Sequence, residues 1–263
     1  MSKLRHLVIP DCQVKAGVPL DHIKYAAMYA VEKKPTSIIC LGDFADMPSL
    51  SEYDKGKKSF EGRRYTIDIE VAVDAMASFM LIIRDEQHRL IRNKDKQWKP
   101  NLIMCLGNHE NRINRVIESD PKLEGLISTK DLKYESWGWQ VYPYLSVVVL
   151  DNIAYSHYFT SGVMGRPVTS ARMLLQKHHM SCIAGHQQGR DIAYGQRADG
   201  SSMTAIISGS FYSHTEDYLN PQTNEHWRGI WMLNDIKNHG SFDEMPISLS
   251  YLKERYETKH RKV

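Results

Sequence analysis

Residues 101–110 read Asn-Leu-Ile-Met-Cys-Leu-Gly-Asn-His-Glu, an apolar run that stops at a glycine and then delivers an amide, an imidazole and a carboxylate. A short apolar run bounded by a turn residue is the pattern of a buried strand. Gly107-Asn108-His109-Glu110 would then form the loop at the strand's C-terminal end. The same grammar recurs on both sides. His6 to Ile9 ends at Pro10-Asp11, Ser37 to Leu41 at Gly42-Asp43, and Ile153 runs up to His157. Ser181 to Ala184 leads into Gly185-His186. Five apolar strands thus carry five polar loops, at Asp11, Asp43, Asn108-His109, His157 and His186. Strand ends at one edge of a sheet are where such folds gather ligands. Carboxylate, amide and imidazole groups converging there are what a pair of divalent metals needs. Taken singly, Asp43 and Asn108 read equally well as turn residues, and His157 as a core histidine. The five together, in this order, point to a metal site.

Between these runs the periodicity predicts a helix from Asp21, a possible cap, to about Lys34, and a long one from about Thr66 to Asn93. Strand, helix, strand, helix, strand indicates a largely parallel first sheet. The second half is strand-rich. Leu145 to Leu150 and Ile153 to His157 flank Asp151-Asn152, a hairpin signal, and Ala198-Asp199-Gly200 is another. These strands predict a second, mixed sheet. The whole chain, 1–263, is expected to be one domain carrying a basic insertion at about 49–65.

Apolar residues make up 42% and charged residues 25% of the 263, as in ordinary soluble domains. The net charge of +3 is too small to argue for nucleic acid by itself. No apolar run reaches the ~20 residues that span a bilayer, and a first strand at His6 leaves no room for a secretory segment ahead of it. A cytoplasmic protein is expected, with Cys12, Cys40, Cys105 and Cys182 as reduced, buried thiols, since no paired C-x-x-C spacing offers a zinc site.

The ordered set D-x-Q, G-D-x-x-D, G-N-H-E, a strand-borne histidine and G-H-x-Q resembles the calcineurin-like metallophosphoesterases, whose pattern is D-x-H, G-D-x-x-D/N, G-N-H-D/E, a later His and G-H-x-H. The match runs from Asp11 to Gln188. The resemblance implies an α/β (α+β) fold, a four-layer sandwich of two stacked mixed sheets flanked by helices. It implies that Asp43 bridges two metals, that Asn108, His157 and His186 complete one site, and that Asp11 belongs to the other. His109 would sit beside the metals and serve the leaving oxygen or the transition-state charge. Glu110 could orient that imidazole, and Asp46 would support the loop or its ligands.

Gln13 and Gln188 stand where the family has histidines, and both would have served the same ion. Glutamine offers a carbonyl oxygen but no ring nitrogen, so that site becomes Asp11, Gln13, Asp43 and Gln188, with Gln187 as an alternative to Gln188. Hard oxygen ligands suit Mn²⁺ or Mg²⁺, and the imidazoles of the other site also accept Zn, Fe or Ni. Two Mn²⁺ with a weak first site are expected. Alternatively, the glutamines only hydrogen-bond and a single metal remains.

Arg112, Arg115 and Arg166 are candidate phosphate contacts. Lys55, Lys57, Lys58, Arg63 and Arg64 form a flexible basic run that could close on an anion. Trp137 and Trp139 read as core. Asp-Met-Pro-Ser-Leu-Ser after G-D-F-A resembles tailed-bacteriophage phosphoesterases. That favours phosphodiesters of nucleic acids or nucleotides, cleaved by metal-activated hydroxide. A phosphomonoesterase and a non-catalytic metal-binding scaffold are the alternatives.

Overall fold

Alternate residues along the strands face different layers, and that alternation builds the fold, seen in a computed structural model that describes residues 3–215 and 226–260. The first half lays down β1 (His6–Ile9), α1 (Asp21–Lys33), β2 (Ser37–Cys40), α2 (Tyr65–Arg92), β3 (Asn101–Cys105), α3 (Arg112–Ser119) and β4 (Gln140–Tyr142). There follow β5 (Val148–Leu150), β6 (Ile153–Ser156), a small hairpin of β7 (Thr160–Ser161) and β8 (Arg166–Pro167), α4 (Ala171–His178) and β9 (Ser181–Ala184). The chain continues with β10 (Arg190–Gln196), β11 (Ser202–Ser208), β12 (Gly229–Asn234), β13 (Asp243–Ser248) and α5 (Leu249–His260).

One sheet has the order β13-β12-β1-β2-β3-β4, the other β10-β11-β9-β6-β5. In the first, β1 to β4 run parallel, and β12 and β13 add to it antiparallel. In the second, β11, β9 and β6 are parallel and each edge strand is antiparallel. Leu7, Ile9, Ile38, Cys40 and Met104 face the helical side, against Ala26 and Ala30 of α1 and Met76 and Phe79 of α2. Their neighbours Val8, Ile39, Leu41 and Ile103 face the other way, onto Ile153, Tyr155, Ile183 and Ile206 of the second sheet. Ala154, Cys182, Ala205 and Ile207 then turn outward to Leu174 and Leu175 of α4. Two mixed sheets are stacked between helices, as the fold expectation had it. At ~1.5–3 kcal/mol per buried aliphatic side chain, the layer between the sheets is the main store of hydrophobic stabilisation at the site's base.

The expected elements are present with small shifts. α1 stops at Lys33 because Lys34 turns left-handed (φ 48°) and its amide bonds the Ala30 carbonyl. Asp21 is the first helical residue, and the cap position falls to Leu20, which offers no side-chain cap bond. The second half does not all enter the second sheet: β12 and β13 return to the first, a long-range pairing that no local pattern announces. All four cysteines are buried and unpaired. Trp139 is core, its ring 6.1 Å from that of Phe79, and Arg84 lies 4.2 Å over Trp137. No helix among the described residues is long and apolar enough to cross a membrane.

His22 of α1 is 1% exposed beneath the Gln13 loop, with Nε2 3.3 Å from the Cys12 carbonyl. Burial pushes its imidazole down to about 4. A folded value below the unfolded one means stability that is complete above about pH 6.5 and is lost as pH falls towards 4. The loss attributable to this group is about 2 kcal/mol by pH 5. Urea unfolding at pH 7 and pH 5 should show a smaller pH difference in His22→Gln than in the unsubstituted chain, and equal differences would refute this assignment.

Candidate metal centre

Five loops meet where the C-terminal ends of β1, β2 and β3 come up against those of β6 and β9. The approach is close enough to require glycine. Gly42 adopts φ 92°, and a β-carbon there would overlap the backbone of Gly107 and the carbonyl of Cys105. A β-carbon on Gly107 would overlap the Asp43 carboxylate itself. Glu110 fastens the same two loops: fully buried, it accepts the amides of Asp43, Ala45 and Gly107, each at 2.9 Å. Burial, and then the nearby Asp43 charge, hold the Glu110 carboxyl above its ordinary value. Among the described residues Glu110 makes no hydrogen bond to the His109 imidazole, so the orienting role expected of it is corrected to a backbone staple. We predict that Gly107→Ala unseats Asp43 and lowers metal affinity by at least about tenfold, measurable by titrating chelator-treated protein.

His157 is fully buried after β6. Its Nδ1 lies 2.8 Å from the Leu41 carbonyl, which can only accept, so Nδ1 carries the proton. Its Nε2 faces Asn108 Oδ1 at 2.8 Å and Asp43 Oδ2 at 3.4 Å. Ligand atoms of Asp43, His157 and His186 all lie within 4.8 Å of one another. His186 is pushed down to about 4 by burial and by His157, which leaves it neutral with a free lone pair. For Asp43, burial opposes ionisation, but His109, His157 and the His109 amide at 2.9 Å outweigh it and hold the carboxyl below its usual value. A carboxylate, an amide oxygen and two imidazoles thus converge, a donor set that a divalent cation satisfies.

Asp11 stands next to this group, fully buried. Its Oδ1 accepts the His186 amide at 3.0 Å, and its Oδ2 accepts the Gln188 side-chain amide at 2.9 Å. Burial raises it to about 7, with His157 opposing and Asp43 adding to the rise. The carbonyl oxygens of Gln13 and Gln188 are both buried without a hydrogen-bond partner among the described residues, which is costly unless something electropositive meets them. Gln187 points elsewhere, its side chain bonding the Val168 carbonyl. Of the two adjacent glutamines, Gln188 is the one placed at Asp11. An oxygen donor set with two orphaned carbonyls fits a hard cation.

His109 bonds Asp46, not Glu110. Its Nδ1 is 2.6 Å from Asp46 Oδ1, and its Nε2 looks towards Asp43 Oδ2 at 3.7 Å. Burial would lower this imidazole, yet Asp43 and Asp46 raise it to about 9 against the opposing charge of Arg112. Asp46 is clamped in turn. Lys15 Nζ lies 3.1 Å from its Oδ2, and Arg112 donates to its carbonyl at 2.7 Å. Arg112 also reaches within 3.3 Å of His109 Nε2. Arg115 is half-exposed and 3.9 Å from Glu52. Arg166 sits exposed on the β7–β8 hairpin, with no hydrogen bond or ion pair to the site among the described residues. Two residues were not anticipated. Tyr144 and Tyr158 share a 2.7 Å hydroxyl contact, and the Tyr158 ring lies 4.8 Å from that of His186. Tyr158 follows His157 directly, a usable signal; nothing local marks Tyr144.

No protein-family model matches the sequence, and no curated protein does. Among solved structures the chain is similar to Yfce, a phosphoesterase from E. coli (10% identity, TM-score 0.39, 94% of this chain and 100% of that one). It is similar to a dimetal phosphatase from Danio rerio (10%, 0.41, 94% and 99%). It is also similar to GAP50, the anchor in the inner membrane complex of Plasmodium (12%, 0.33, 95% and 85%). At such scores the likeness assigns no activity, and the functional reading rests on the side chains.

Proposed function

We propose that this chain is a metal-dependent phosphoesterase whose first substrates are phosphodiesters. The observation that carries the reading is the convergence of His157 Nε2, Asn108 Oδ1 and Asp43 Oδ2 beside His109, whose imidazole is raised to about 9. Asp43, Asn108, His157 and His186 would hold one divalent ion, and Asp11, Gln13, Asp43 and Gln188 the other, with Mn²⁺ favoured for the oxygen-rich member. When bound, such a pair lowers the pKa of water and neutralises phosphate oxygens.

The remaining steps fall to the chain's own side chains. His109, held by Asp46 at Nδ1, keeps its Nε2 proton pointed at the centre and gives it to the departing alkoxide. Asp46 fixes the tautomer and steadies the cation, and Lys15 and Arg112 keep Asp46 in place. Arg112, already at the His109 edge, would also meet a phosphate oxygen, with Arg115 and Arg166 farther out on the rim. Buried walls and the Tyr144–Tyr158 pair limit water around His157 and His186.

The bacteriophage-like Asp-Met-Pro-Ser-Leu-Ser stretch favours DNA, RNA or a nucleotide as the ester, and the cytoplasm, of a host cell if phage-encoded, as the setting. The domain is taken to span 1–263, with 49–65 as its insertion. Hydrolysis of bis-p-nitrophenyl phosphate and of p-nitrophenyl phosphate with Mn²⁺, Mg²⁺, Zn²⁺ or chelator tests the proposal. Metal-dependent preference for the diester is expected. A preference for the monoester would favour a phosphomonoesterase, and no activity with any metal would favour a binding scaffold.

A further inference from the structure

A groove of about 440 Å³ opens between the loop after Gln13 and the basic stretch that precedes α2. Ala16, Val18, Pro48 and Ile67 give it an apolar lining, and Lys15 and Arg64 stand along it as cations. Lys15 ties it to the chemistry, because the carboxylate it touches at 3.1 Å is the one that holds His109. Through Asp46 the groove neighbours His109, on the Nδ1 side of the imidazole, at the edge of the centre.

Several cations of the basic stretch are already engaged. Lys57 and Arg63 both pair with Asp54, at 3.2 and 2.8 Å. Arg64 differs. It is exposed at the N-terminus of α2, and among the described residues its guanidinium bonds only the neighbouring Arg63 carbonyl, at 2.9 Å. Two acids also line the groove, Glu61 and Asp68, but Asp68 is buried and already accepts the Ser49 amide at 2.8 Å.

We propose that this groove binds the leaving half of a phosphodiester, its apolar lining receiving a flat or apolar group and Arg64 the next phosphate along the chain. The assignment rests on the phosphodiesterase reading above. A short single-stranded oligonucleotide and a dinucleoside polyphosphate both present this chemistry, and the test separates them.

Binding is measured by anisotropy with a labelled oligothymidylate, in chelator-treated full chain carrying His109→Ala so that hydrolysis is suppressed during the measurement. Adding Arg64→Ala should weaken binding about tenfold or more and reduce the slope of log affinity against log salt by about 0.7. Arg64→Lys should restore most of the affinity. Lys58→Ala, which removes a charge outside the groove, should change it less than about twofold. With His109 present, Arg64→Ala should raise KM for the oligonucleotide and leave bis-p-nitrophenyl phosphate turnover untouched, since that diester carries no second phosphate. Competition by diadenosine tetraphosphate, lost in Arg64→Ala, would identify the polyphosphate as the better ligand. An unchanged affinity and salt slope in Arg64→Ala, or an equal loss in Lys58→Ala, overturns the groove assignment. Arg64-dependent binding with no hydrolysis of either ligand by the unsubstituted chain would keep the anion site and remove the hydrolytic reading.

Discussion

Replacing His109 by alanine is expected to lower phosphodiester turnover by about 10²–10⁴-fold, the usual worth of a positioned acid, while metal content and KM stay close to those of the unsubstituted chain. The expectation follows from position. His109 is not among the residues whose ligand atoms cluster, Asp43, His157 and His186, and its ring nitrogen not used by Asp46 lies 3.7 Å from Asp43 Oδ2. Its elevated value, about 9, keeps it protonated at neutral pH, as an acid must be. A bound dication would pull that value down, so the benefit depends on Asp46 staying ionised beside it. Asp46→Asn should therefore cost about tenfold or more with the metal retained. Kinetics on bis-p-nitrophenyl phosphate, with metal analysis of the same samples, check both variants. Loss of metal in His109→Ala would reassign this imidazole as a ligand.

The second large effect is a gain. Gln13→His together with Gln188→His should raise affinity for a second zinc ion by at least about tenfold, because imidazole is a far better zinc ligand than a side-chain amide. The backbone permits it. Gln13 and Gln188 sit at φ 44° and 56°, left-handed values that histidine tolerates better than most residues, and His186 already adopts φ 71° in the same loop. Gln188 also donates to Asp11 Oδ2 at 2.9 Å, a contact that a ring N–H could replace but a metal-bound nitrogen could not. Zinc titration of the double variant against the parent measures the change. Equal second-site affinity would mean that the two glutamines do not border an ion.

Much of this was legible because it is local. Apolar runs ending in Gly-Asp, Gly-Asn-His-Glu and Gly-His placed Asp43, Asn108, His109 and His186 at strand ends, and the alternation of Ile38, Ile39, Cys40 and Leu41 already encodes a strand covered on both faces. What escaped is set by contacts between distant segments. Glu110 looks like a partner for its neighbour His109, yet three amides from two loops claim both of its oxygens. Asp46, 63 residues away in the chain, takes the imidazole instead. Strands β12 and β13 join the first sheet because β1 leaves an open edge, which only the assembled sheet reveals. Lys15 reads as one more surface lysine until the Asp46 loop folds over it.

The central claim is an unequal pair of metal sites, one built on two imidazoles and one on oxygen alone. Titrating chelator-stripped protein with Mn²⁺, and following the free ion by electron paramagnetic resonance, tests it most directly. Two binding events of different affinity are expected, the tighter abolished by His157→Ala and the weaker by Asp11→Asn with the tighter one kept. No binding at all, or two equally tight events, would contradict the account.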